Sequence, residues 1–181
     1  MPKIGFRYPI IAKKGASGYT DAFVCGKAVQ GSATPTAYNV KFYADDALAE
    51  NATGVSDWAI SLDVSDLPIK ALEVLYGHQV SDGKVIYSVD DTPNDVGTGF
   101  YVVKQQNGVK SYVAEWFFKV RFTEPTETYT TQGETVTFNS DSINGTASVN
   151  EDRQFKIQKS FDTPEAAEAW LNTQANYVVS A

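Results

Sequence analysis

The sequence predicts a mainly β protein, a mostly antiparallel sheet with one mid-chain helix and one C-terminal helix. Three observations carry that reading. Apolar and polar residues alternate with period two along much of the chain. Asn107-Gly108 joins two strand-like runs in GFYVVKQQNGVKSYVAEWFFKVRF, Gly99 to Phe122. That dipeptide suits a tight turn with positive φ at both central residues, the strongest short-range hairpin signal. Aromatic content is 13%, with ten Tyr and ten Phe, residue types that favour strands and are common at protein contacts.

The elements follow in order. Ile4 to Ile11 reads as a short extended segment, with Pro9 marking an edge or a break. Asp21 to Gln30 reads as a strand. Tyr38, Val40 and Phe42 alternate with Asn39, Lys41 and Tyr43 up to Ala44. Asp45 to Asp57 is acidic, small and Gly-containing, and reads as a long mobile connection. Trp58, Ile60, Leu62 and Val64 alternate with Ala59, Ser61 and Asp63 as a half-buried strand. Pro68 then suits a first helical turn, Ile69, Leu72, Leu75 and Tyr76 recur at helical spacing, and Gly77 is the natural stop. Lys84 to Val89 reads as a strand and Asp90 to Gly99 as a turn-rich loop. Beyond Phe122, strands are expected at Val136 and Phe138, at Ile143 to Val149, and at Phe155 to Phe161. Thr163 as N-cap, Pro164 at the first position and Glu165 in the first turn open the last helix, whose apolar stripe is Ala166, Ala167, Trp170 and Leu171.

The turn fixes the register of the central hairpin. If Gln106 pairs with Val109, Val103 faces Tyr112 and Tyr101 faces Ala114. One face then reads Tyr101, Val103, Tyr112, Ala114, Trp116, Phe118, Val120 and Phe122, a core without charge. The other reads Phe100, Val102, Val113, Glu115, Phe117, Lys119 and Arg121. It is too apolar for plain solvent and too charged for a core, which suits a surface that a partner buries.

Composition narrows the function classes. The length of 181 residues suits one domain. The formal net charge is −7, so the surface repels phosphate backbones. Lys104, Lys110, Lys119 and Arg121 are interleaved with aromatics, as in some single-strand binders, but the acidic balance argues against that role. The single cysteine, Cys25, sits in an apolar run and reads as a small buried residue; no intrachain disulfide is possible. The single histidine, His78, follows the helix stop and reads as a turn residue without a partner of suitable type. No phosphate-cradling glycine motif occurs, and the acidic pairs Asp45-Asp46, Asp90-Asp91 and Glu151-Asp152 lack the spacing of an EF-hand. No catalytic residue, cofactor or metal site is expected. The N-terminus carries no export signal and no apolar run long enough for a membrane span, so no membrane insertion is expected.

Six segments stand out: Lys41-Phe42-Tyr43-Ala44-Asp45-Asp46-Ala47-Leu48-Ala49-Glu50, the start Ile4-Gly5-Phe6-Arg7-Tyr8-Pro9, Leu75-Tyr76-Gly77-His78, Gly97-Thr98-Gly99-Phe100-Tyr101, the Trp116-to-Pro125 strand and the Glu165-to-Leu171 helix. Together they resemble the major tail proteins of long, non-contractile-tailed phages, of the phi13-like kind. The resemblance spans essentially the whole chain in the same order. It implies a β-sandwich or small barrel with flanking helices. It also implies a non-enzymatic virion protein that stacks as rings, usually of six subunits, into the tube that carries genomic DNA to the host. Assembly in the host cytoplasm is implied too, with tape-measure, tail-tip and tail-terminator proteins as partners and duplex DNA passing without tight binding. The alternative is a β-sandwich module binding carbohydrate or a cell-surface ligand.

On the tube reading, the segment 45–57 docks on a neighbouring subunit through Leu48 and Val55. The assembly-interface candidates are then Asp45, Asp46, Leu48, Glu50 and Val55, with Phe100, Val102, Val113, Glu115, Phe117, Lys119 and Arg121. Loop acids Asp45, Asp46, Asp90, Asp91 and Asp95 are candidates for the lumen wall, though each reads rather as a solvated outer or inter-ring residue; the wall as a whole is expected to be neutral or negative.

Overall fold

The computed structural model describes residues 3–44, 47–127 and 140–179, with the backbone alone at 3, 42–44 and 47–50. In chain order the elements are β1 (Lys3–Gly15), β2 (Gly18–Val24), β3 (Ala28–Ala44), β4 (Ala47–Val64), α1 (Ile69–Tyr76), β5 (Gln79–Ser81), β6 (Lys84–Ile86), β7 (Val96–Gln106), β8 (Val109–Thr123), β9 (Asp141–Ala147), β10 (Lys156–Phe161) and α2 (Pro164–Ala175). Eight strands form one antiparallel sheet in the order β2-β1-β7-β8-β9-β4-β3, with β10 added on β8. The sheet bends around a core and does not close into a barrel. A separate small hairpin pairs β5 with β6.

The bend centres on β8. Its first part, Tyr112 to Phe117, pairs with β10. Its last part, Val120 to Thr123, pairs with β9. Between them the register against β7 slips, from Thr98↔Phe117 to Val96↔Val120. One extra residue on β8 is a bulge, which bends a strand and reverses the alternation of its side chains. The face expected to run unbroken from Tyr112 to Phe122 is therefore split. Ala114 and Trp116 point into one cluster, while Val120 and Phe122 point into the other with Val113 and Phe117.

Two cores result. The larger one lies between the two halves of the bent sheet and under α1, and contains Phe23, Ile60, Leu62, Leu75, Phe100, Phe117 and Ile143. The smaller one lies under α2, where Ala167, Leu171 and Ala175 cover Tyr101, Val103, Ala114 and Trp116. The β7–β8 hairpin is thus buried on both faces. Phe100, Val102, Val113, Glu115 and Phe117, expected to await a neighbour, are each at most 7% exposed within the chain itself. The strands β4 and β9 come over that face, and no local pattern announces them. Phe6 packs edge-on to Phe100 at 5.0 Å, and Trp58 to Phe117 at 6.1 Å. Glu115 is tolerated there because Lys156 Nζ lies 2.7 Å from its carboxylate and also sits over the Trp58 ring. A carboxylate buried without such a partner would cost several kcal/mol.

The turn and caps match the sequence. Asn107 and Gly108 both have positive φ, and the register runs Gln106↔Val109, Val103↔Tyr112, Tyr101↔Ala114. Gly77 closes α1 in the left-handed conformation, with its N–H donating to Glu73 O. The Thr163 hydroxyl accepts from Ala166 N at 3.3 Å to open α2. Ala166, assigned to the apolar stripe, is exposed instead. The run 21–30 is broken at Gly26, which packs so close to the Asp66 backbone that a Cβ would overlap it. Val96 to Gly99, read as loop, belong to β7. Lys84 to Val89 yields only the short β6. The strand expected at Val136 and Phe138 lies outside the described residues.

The largest difference concerns 45–57. Residues 47–57 are not a connection but the first part of β4, paired with β3 from Ala44↔Ala47 to Thr36↔Asp57. Few of these residues have high strand propensity; the ladder with the Tyr- and Val-rich β3 overrides it. Residues 45–46 lie outside the described residues.

Candidate assembly surfaces

The β3–β4 hairpin has two different halves. In the near half it is part of the sheet, because β9 pairs with β4 from Trp58 to Val64. Cross-strand partners share a face, so the pairings sort into rows. Inner rows are Gly31–Leu62–Ile143, Ala33–Ile60–Gly145–Phe122 and Pro35–Trp58–Ala147–Val120. They are apolar and feed the larger core. Outer rows are Gln30–Asp63–Ser142, Ser32–Ser61–Asn144–Thr123 and Thr34–Ala59–Thr146–Arg121. They make a face four strands wide with small, mostly uncharged polar side chains. Its charges are Asp63 and Arg121, and Arg121 is held by Asp95 at 2.8 Å. Lys119 shares Asp95 at 3.6 Å.

The far half, 36–44 with 47–57, has no third strand among the described residues. It is an arm two strands wide. Tyr38 is 48% exposed, Val40 62% and Val55 39%. A two-stranded ribbon alone is marginally stable in water. The arm begins at a bulge between Thr36 and Ala37. There Thr36 Oγ1 and Ser56 Oγ both donate to Asp57 at 2.7 Å, which holds the Asp57 carboxyl below its ordinary range. The Tyr38 ring lies across Gly54, where a Cβ would come within 2.5 Å of it. Of the sequence candidates, Val55 is an exposed arm residue. Leu48 and Glu50 are placed by backbone on β4, and Asp45 and Asp46 lie outside the described residues.

A pocket of about 280 Å³ opens at the other end of the molecule, where α1, the loop after β6 and the exit of β8 meet. His78 was expected to lack a partner. It is buried, with Nδ1 2.7 Å from Asp91 Oδ2 and Nε2 2.5 Å from Glu124 Oε1. The second contact lies outside hydrogen-bond geometry. Tyr87 packs on the imidazole at 4.3 Å. The Tyr76 hydroxyl is buried without a hydrogen-bond partner. Burial, with the Glu124 charge second, pushes it above its ordinary range. Asp91 also accepts from Ser88 N at 2.8 Å; these bonds, the one with His78 foremost, hold its carboxyl below the usual range. Asp91 and Asp95, suggested for a lumen wall, are thus engaged with His78 and with Arg121. Cys25 is buried, and burial pushes its thiol up to about 12. Among the described residues, no group of three His, Cys, Asp or Glu side chains is placed to hold a metal ion.

No curated protein matches this chain. The profile of a family described as phage tail tube protein matches residues 32–173, from within β3 to within α2, and so takes in the arm, the doubly buried hairpin and both helices. With that match over most of its length, the chain belongs to the phage tail tube protein family, structural proteins of the virion tail.

Proposed function

We propose that this tail tube protein polymerises as stacked hexameric rings into the tail tube, the conduit through which the genome reaches the host. The observation that carries the reading is the β3–β4 arm: two long strands project past the last supporting strand with apolar side chains exposed on them. Such a ribbon gains stability when a neighbouring subunit covers it. In the free protomer the arm is loosely held, because few of its residues offset their ordering entropy. In the tube, Leu48 and Val55 are the anchors from its β4 side, and Tyr38 and Val40 from its β3 side.

The outer polar face is the reading's lumen wall. It is four strands wide, so six copies bring about 24 strands. At roughly 4.8 Å per strand these enclose a channel about 37 Å across between backbones, wider than the 16–18-strand barrels that leave a modest aqueous pore. Small Ser, Thr and Asn side chains leave the wall smooth. A fixed cation on the wall would add salt-sensitive affinity for each phosphate it met and slow transit. Asp95, shared by Arg121 and Lys119, offsets part of their charge before DNA arrives. Screening over about 8 Å confines what repulsion remains to the neighbourhood of the wall. Assembly takes place in the host cytoplasm, with tape-measure, tail-tip and tail-terminator proteins as partners.

The test is negative-stain microscopy of the purified protein over a range of concentrations, with and without tail-tip proteins, followed by duplex binding to the polymers. Tubes that fail to retain DNA at physiological salt support the reading. Monomers under every condition, or tubes that bind duplex tightly, contradict it.

A further inference from the structure

The two ends of β8 carry opposite chemistry. At one end is the β7–β8 turn. From Val96 to Ala114 the hairpin has no acidic residue, and its tip bears Lys104 and Lys110. Neither lysine has an ion-pair partner among the described residues. Beside Lys110, Val109 is 71% exposed, a large apolar residue offered to water at a turn. At the other end, roughly 45 Å away along an extended strand, lies the pocket of Tyr76, His78 and Glu124. Asp90, Asp91 and Asp95 crowd the same end in sequence, and Glu127 also lines the pocket.

The pocket has the features of a receptor for an ammonium group on an apolar stem. Its walls are Leu72, Pro125 and Tyr87. Glu124 is 53% exposed at its mouth. Inside, the Tyr76 hydroxyl is buried without a hydrogen-bond partner, and His78 Nε2 lies against Glu124 Oε1 outside hydrogen-bond geometry. A buried polar atom without a partner is unfavourable, so an incoming hydrogen-bonding group is favoured there. A lysine ammonium brings three donors and a positive charge, and the tyrosine ring faces add cation–π attraction.

We infer that the pocket receives the β7–β8 turn of a second copy of this chain, with Lys110 reaching Glu124 and the Tyr76 hydroxyl and Val109 resting on Leu72 and Tyr87. The complementary surfaces lie on one chain at opposite ends of one strand. Such a contact is heterologous and repeats head to tail without closing. Opposite charges also orient the incoming copy and select against the reversed stacking. The inference rests on the stacked-ring reading and supplies an axial contact between rings, separate from the arm.

The experiment compares wild type, Lys110→Glu, Glu124→Lys and the double exchange by sedimentation and microscopy, and treats wild-type tubes with a carbodiimide that joins amines to carboxylates. Lys110→Glu sets like charges against each other and is expected to raise the concentration needed for polymerisation by about tenfold or more. The double exchange should recover most of that loss, and Lys110 should be found joined to Glu124 of another copy. Should Glu124→Lys misfold by circular dichroism, Lys110→Glu and the cross-link decide the matter. Tubes of Lys110→Glu at the wild-type concentration, with no such cross-link, overturn the contact and leave the ring reading intact. A wild-type protein that never polymerises, even with tail-tip proteins, overturns both.

Discussion

Two hairpins in one sheet have opposite fates. The β7–β8 hairpin is covered on both faces, by the folded-over β4 and β9 on one side and by α2 on the other. In the far half of the β3–β4 hairpin, residues 36–41 and 51–57 are mostly exposed, although its strands are 17 and 18 residues long. The first draws its stability from the protomer. Among the described residues, no further strand or helix supports the second. Fully burying a Phe or Val contributes roughly 1.5–3 kcal/mol, so the β7–β8 hairpin is where the chain's own folding energy concentrates. On the proposed tube reading, that division separates the groups that fold the subunit from those that join it to others.

Substitutions on the two hairpins should separate folding from assembly. Phe117→Ala removes a fully buried ring that packs on Trp58 and Phe100. It should cost about 3–5 kcal/mol, read by urea denaturation of the monomer. Tyr38→Ala and Val40→Ala should move monomer stability by no more than about 0.5 kcal/mol, yet abolish or strongly weaken tube formation. If the arm variants destabilise the monomer as much as Phe117→Ala, the arm is part of the protomer's core and the comparison fails.

Glycines sharpen the same contrast. A Cβ at Gly99 would meet Trp116 at 2.5 Å, Leu171 at 2.8 Å and the Glu115 carbonyl at 2.9 Å. None of these can retreat, so Gly99→Ala should cost about 1–3 kcal/mol. A Cβ at Gly54 would also meet a ring at 2.5 Å, but that ring is Tyr38 on the exposed arm and can swing away. Gly54→Ala should therefore leave the monomer's melting temperature nearly unchanged while displacing Tyr38 and lowering polymer yield.

The smallest effect is on pH. The Asp91 carboxyl is held below its ordinary range, first by the bond to His78 and then by Ser88 N–H. A depressed folded-state value means the contribution is present above the unfolded value, about 3.9 for an aspartate. It is lost as pH falls through the folded one. Asp91→Asn should lower the melting temperature slightly at neutral pH and flatten its fall below about pH 4. The same acid limb in wild type and variant would show that the His78 contact adds nothing.

Much of this was legible in the sequence, and the exceptions have physical causes. The Asn107-Gly108 turn and its register are local, so they could be read. The helix caps at Gly77 and Thr163 are local too. The bulge at Phe118 and Lys119 carries no Gly or Pro, and Trp116-Phe117-Phe118-Lys119-Val120 gives no local sign of it. Burial of Phe100, Val102 and Phe117 depends on β4 and β9, which are distant in sequence. The His78 site joins Asp91 from a loop and Glu124 from the end of β8, neither of them within its own helix–turn segment. Residues 51–57 look like a loop because their small and polar side chains are those of a strand whose two faces are both largely exposed.

The most direct test of the central claim is hydrogen exchange, followed by mass spectrometry, on the free protomer and on assembled tubes. The account predicts that amides of 113–117 exchange slowly in both states. Those of 51–57 should exchange quickly in the protomer and become strongly protected in the tube. Equal protection of 51–57 in the two states would contradict it.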